Sequence, residues 1–173
     1  MTGYTFYDAY FPTIIKIFKT FEVVLTKAQV HAKENGIDVN TAYAPARLYE
    51  DMRPLTYQVH VASSQVRAVL RSLTDVAIEE PKQDLTTFDH LFASIKETRE
   101  RLESVVPEDI NGKEDQEKEF EFNSMILKFV SRDCITGFVL PNLFFHLTTA
   151  YDILRHNGVP LGKRDYLQSF AKW

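Results

Sequence analysis

A chain of 173 residues with 45% hydrophobic side chains, thirteen Phe and eight Tyr among them, has enough apolar surface for one substantial core, so a single domain over residues 1–173 is expected. A net charge of −4 gives no general attraction to phosphate backbones or anionic lipid, which argues against nucleic acid and membrane surfaces as partners. The one cysteine, Cys134, closes no intrachain disulfide, and no basic start followed by an apolar run stands behind Met1, so a cytoplasmic location is the expectation.

From Phe6 to about Asn35 the apolar residues Tyr10, Ile14, Ile17, Phe18, Phe21, Val24, Leu25 and Ala28 recur at three- and four-residue steps. This predicts a long first helix, kinked near Pro12 and ended by Gly36. Ile37 to Arg53 shows no sustained period and reads as a connecting loop. Pro54 suits a first helical position, and Leu55, Val59, Ala62, Val66, Val69 and Leu70 define a second helix to about Leu73. Glu79 to Asp84 is a charged connection broken by Pro81.

Thr86 or Thr87 is the expected cap of a third helix through Phe88, Leu91, Ile95 and Leu102, stopped by Pro107. Pro107 to Lys118 reads as a solvated loop. Phe120 to Val130 alternates apolar and polar residues around Asn123 and Ser124, the pattern of a short β-hairpin. Ser131 or Asp133 then caps a fourth helix to about His156, bent by Pro141 and ended by Gly158 and Pro160. The longest apolar stretch, Cys134 to Phe145, is shorter than the about 20 residues that span a bilayer. The whole predicts an all-α four-helix bundle with a short β-hairpin before the last long helix.

Most catalytic signatures are missing: there is no Walker loop, dinucleotide-type glycine run, Gly-x-Ser-x-Gly elbow, HExxH or pair of metal-spaced cysteines. What remains is His60 near the middle of the second helix and His146 in the fourth. Asn142 and His146, four residues apart, share a helix face about 6 Å apart at Cβ. With His60 from the facing helix, the three side chains allow two chemistries. One is a loosely held divalent metal, zinc, nickel or iron, since imidazole is a good ligand and a carboxamide a weak one. The other is metal-free, with a histidine as general acid or base and Asn142 donating to an oxyanion.

The plain alternative is a pair of hydrogen-bonded core histidines. His31, His90 and His156 fall at helix ends and read as solvated or exposed. Arg47 is a candidate clamp for a carboxylate or phenolate substrate, and Tyr57 and Tyr151 are candidate walls of an apolar pocket.

Several blocks point to a family: Tyr7 to Pro12 (YDAYFP), Ala46 to Leu55 (ARLYEDMRPL), Tyr57 to Val59, and Leu140 to Leu167 (LPNLFFHLTTAYDILRHNGVPLGKRDYL). Together they closely resemble the domain of unknown function 1993, which looks like a branch of the DinB/YfiT-like bundles. The resemblance covers nearly the whole chain. It implies the DinB/YfiT-like four-helix fold, whose wider group holds a divalent metal with one histidine on the second helix and an HxxxH pair on the fourth. His146 then takes the second place of that pair and Asn142 the first, where the group has a histidine. His60 is the natural third ligand, with Gln58 competing for that place.

The wider group includes thiol-dependent S-transferases and a maleylpyruvate isomerase in which the metal activates a thiol. The expected function is thus a small-molecule enzyme with its pocket between the second and fourth helices, acting on a largely apolar metabolite. It is either a metal-assisted thiol transferase or isomerase, or a metal-free isomerase, cyclase or lyase. The alternative is a non-catalytic ligand-binding or structural bundle. A homodimer through a helix face is expected in either case.

Overall fold

The structure is a computed structural model that describes residues 3–74, 78, 85–122 and 125–171. Helix α1 spans Phe6–Glu34 and opens on a capping box, in which the Thr5 hydroxyl accepts from Asp8 N–H and the Asp8 carboxylate takes the Thr5 N–H. It continues through Pro12 and ends where Gly36 adopts φ +66°. The segment expected as a loop contains a short helix, α2 (Val39–Ala42), capped by the Asp38 carboxylate on Asn40 N–H at 3.0 Å. Tyr43 follows it into the core, where its hydroxyl meets His31 Nδ1 at 3.0 Å, so the half-buried His31 in the last turn of α1 is also tied to the fold.

Helix α3 spans Leu55–Leu73, with Pro54 just outside as its N-terminal flank. Helix α4 spans Phe88–Ser104, and the Thr87 hydroxyl accepts from His90 N–H at 3.3 Å. Pro107 does more than stop it: Pro107–Ile110 forms α5, which buries Ile110 in the stretch expected to be a solvated loop. Strands β1 (Glu117–Phe122) and β2 (Met125–Val130) pair antiparallel, from Glu117 opposite Val130 to Phe122 opposite Met125. The hairpin's turn at Asn123 and Ser124, like the charged connection from Glu79 to Asp84, lies outside the described residues.

The last long helix is built in three pieces: α6 (Ser131–Cys134), a π-helical stretch Ile135–Val139, and α7 (Leu140–His156). Neither Ser131 nor Asp133 caps it. Ser131 is buried, and its hydroxyl donates to the Gln116 carbonyl at 3.0 Å instead. Pro141 has no N–H to give, and its ring crowds the carbonyl four residues back, at Gly137. The chain meets this with the wider π turn rather than a simple bend. A further short helix that the periodicity did not announce, α8 (Lys163–Leu167), docks on α1 through Lys27 and Asp165 at 2.9 Å.

The four long helices each pack on two others: α1 on α4 and α7, and α3 on α4 and α7. Their shared core holds Phe11, Phe18 and Phe21 of α1, Leu55 and Val66 of α3, Leu91 and Ile95 of α4, and Leu147 and Ile153 of α7. Phe120 of β1 is buried in the same core, and the Ser72 hydroxyl fastens β1 to α3 through the Glu119 carbonyl at 2.9 Å. The fold is thus mostly helical with one two-stranded antiparallel sheet. Among the described residues no helix is long and apolar enough to cross a membrane.

Gly158 closes α7 at φ +87°, and a Cβ built there meets nothing within 4 Å. The penalty for Gly158→Ala is therefore backbone strain alone, about 1–2 kcal/mol. A urea unfolding curve is expected to show that loss, and an unchanged midpoint would mean the left-handed turn is not kept in solution.

Candidate functional site

Helices α3 and α7 meet along a seam bridged by two side-chain hydrogen bonds. His146 Nδ1 lies 2.8 Å from Gln58 Oε1, and Asn142 Nδ2 donates to Gln65 Oε1 at 3.1 Å. The partners run in opposite order along the two helices, so the helices are antiparallel. Gln58 and Gln65 are seven residues apart, which returns them to nearly the same face of α3, as Asn142 and His146 share one face of α7.

Gln58 fixes the state of the imidazole. Its Nε2 donates twice, to the Arg53 carbonyl at 3.0 Å and the Pro54 carbonyl at 3.2 Å, so both amide protons are used. Oε1 therefore accepts, Nδ1–H of His146 donates to it, and Nε2 of the ring carries the lone pair. The side chain is only 6% exposed, and this burial pushes the imidazole pKa down to about 4, which keeps the ring neutral at pH 7. Tyr57 and Phe145 flank it edge to face, with ring centroids at 6.4 and 5.4 Å. Both stay open to solvent, 36% and 56% exposed, and the Arg53 guanidinium lies 5.4 Å over the Tyr57 ring. The result is a largely buried, neutral imidazole beside two solvent-facing aromatic rings.

Of the residues expected to converge, Asn142, His146 and Tyr57 do so. His60 does not join them. It stands two residues beyond Gln58, about 200° around the α3 axis, and lines a shallow concavity of about 250 Å³ with Thr56, Tyr57, Leu85 and Thr86. The α3 group that reaches His146 is Gln58. Arg47 is exposed and donates to the Met52 carbonyl at 2.7 Å, tying its own loop together. Tyr151 packs edge-on against Tyr166 at 5.9 Å, and Tyr166 stacks on Phe170, so it belongs to the contact between α7 and α8. Cys134 is buried, with its thiol pushed up to about 12 by desolvation, and is therefore no thiolate at neutral pH.

Gln65 escaped the sequence reading, and the signal for it was present. Leu55, Gln58, Ala62, Gln65 and Val69 recur at alternating steps of three and four and are all buried, so two carboxamides interrupt an otherwise apolar stripe. A polar residue on a core stripe needs a partner.

The donor set does not fit a three-ligand divalent metal. The Oε1 atoms of Gln58 and Gln65 already accept hydrogen bonds, Asn142 turns an amide N–H toward Gln65, and the α3 side chain bonded to His146 is Gln58. Among the described residues, no three His, Cys, Asp or Glu side chains are grouped so as to hold a metal ion.

The family model "Domain of unknown function (DUF1993)" matches residues 6–167. Among solved structures, the crystal structure of a DinB family member protein from Shewanella denitrificans superposes with a TM-score of 0.78 at 30% identity, covering 93% of this chain and 90% of that one. No curated protein matches. With a sequence match over nearly its whole length and a fold shared with that relative, the chain belongs to the DUF1993 family and has a DinB-like fold.

Proposed function

We propose that the chain, a four-helix bundle of the DinB kind, binds a small, largely apolar molecule at the α3–α7 seam without a metal. In this reading His146 Nε2 accepts a hydrogen bond from a hydroxyl or N–H of the ligand, and Tyr57 and Phe145 supply the apolar walls. The observation that carries it is the Gln58 clamp, which spends both amide protons on backbone carbonyls and so holds the ring in one tautomer.

A pKa of about 4 favours an acceptor over a proton shuttle, because at pH 7 roughly one ring in a thousand is protonated. A second reading, a metal-free isomerase, cyclase or lyase, draws on the same fixed tautomer. There the Nε2 lone pair takes a proton from an acidic O–H or C–H of the bound substrate. Thiol transfer has no comparable support, since among the described residues no three His, Cys, Asp or Glu side chains are grouped to hold the metal that would activate a thiol.

Titrating phenol into isotope-labelled protein tests the binding reading. The His146 ring and Gln58 side-chain amide resonances are expected to shift together, and His146→Phe is expected to abolish the effect. Shifts confined to the concavity beside His60, or equal shifts in His146→Phe, would overturn the assignment.

A further inference from the structure

Gln65 holds a hydrogen-bond donor that the fold does not use. Its side chain is 3% exposed, and Oε1 is occupied by Asn142, yet Nε2 is buried without a partner. Native interiors pair nearly all such groups, so a dry amide donor held beside a candidate site points to something that is bound there. The residues around it on α3, Ala62, Val66, Ala68 and Val69, are buried and apolar. A single hydrogen bond to Asn142 sets the orientation of the amide head. That bond leaves Nε2 as the unused end, and its partner Asn142 stands one helical turn from His146 along α7.

Resting on the reading of the seam as a ligand site, we propose that Gln65 Nε2 recognises a carbonyl oxygen of the ligand. The seam would then select an uncharged molecule that carries a carbonyl at one end and a hydroxyl or N–H at the other. Charge selection follows from the groups present. The buried polar side chains of the seam are two glutamines and a neutral imidazole, beside a half-buried asparagine. These dipoles return less than the hydration that a carboxylate or ammonium would lose on entering. Among the described cations near it, Arg53 lies outside on the Tyr57 ring, and the buried Arg67, two residues beyond Gln65 and about 200° around α3, turns to Glu97 of α4.

The test compares 4-hydroxyacetophenone with 4-ethylphenol, which lacks the carbonyl, and with anionic 4-hydroxybenzoate, in the full chain and in Gln65→Met. The ketone is expected to bind roughly tenfold tighter than 4-ethylphenol, and 4-hydroxybenzoate more weakly than either. In Gln65→Met the ratio of ketone to 4-ethylphenol affinity is expected to fall to about one whatever the absolute affinities become, since the variant also removes the acceptor of the Asn142 amide. In the unaltered chain the Gln65 side-chain amide resonance is expected to move with the ketone and not with 4-ethylphenol, a readout independent of how the variant folds. Equal affinity for the two probes, or a preference that survives Gln65→Met, overturns this inference alone. Failure of both probes to bind the unaltered chain overturns the seam reading on which it rests.

Discussion

Gln58→Leu is expected to lower the free energy of unfolding by roughly 2–3 kcal/mol, more than its modest change in volume would suggest. The Arg53 and Pro54 carbonyls beside the exposed loop can turn to water when the amide is removed. The buried Nδ1–H of His146 cannot, and it is left without an acceptor inside the core. Urea unfolding at neutral pH measures the loss. Long-range proton–nitrogen spectra of the imidazole give a second readout, in which the Nδ1–H tautomer is expected to lose its dominance. A loss below about 0.5 kcal/mol with the tautomer unchanged would mean that Gln58 does not hold the ring.

The second large effect is on acid stability. His146 has its folded pKa depressed from the ordinary 6.5 to about 4 by burial. Between those values an unfolded chain binds a proton that the folded chain refuses. The contribution is therefore fully present above pH 6.5 and is lost as pH falls toward 4, on the order of 3 kcal/mol in all. Carboxylates titrate in the same window, but they do so equally in His146→Phe, which cannot take up that proton. The stability gap between the parent and His146→Phe is thus expected to shift by that amount between neutral pH and pH 4, in favour of the variant. A gap that stays constant would contradict a dry imidazole.

The four long helices were legible because each carries an apolar stripe several turns long, and only a helix with one face against a core needs a repeat of that length. The helices at Val39–Ala42, Pro107–Ile110 and Lys163–Leu167 were not, since four or five residues hold barely one turn and no periodicity. Ser131 misled as a cap because a hydroxyl serves any nearby acceptor, and the Gln116 carbonyl reached it first.

At the site, the four-residue step from Asn142 to His146 gave the α7 half directly. The α3 half was chosen by chemical type, with His60 preferred because imidazole is the stronger ligand. Helix phase decides otherwise. Gln58 lies on the stripe that faces α7, and His60 lies about 200° from it. Counting phase along Leu55, Gln58, Ala62, Gln65 and Val69 would have found both carboxamides from the sequence alone.

The wide turn from Ile135 to Val139 sets the angular position of everything after it. Upstream, the helix is anchored to the hairpin by Ser131; downstream, its heading is free to differ by the one residue that a π turn absorbs. Five π-helical residues turn through about the angle of four α-helical ones, so a chain one residue shorter here could run as unbroken α-helix and still present Asn142 and His146 to the two glutamines. A relative that lacks one residue between the hairpin and Asn142 can thus keep this seam, with the wide turn replaced by ordinary α-helix.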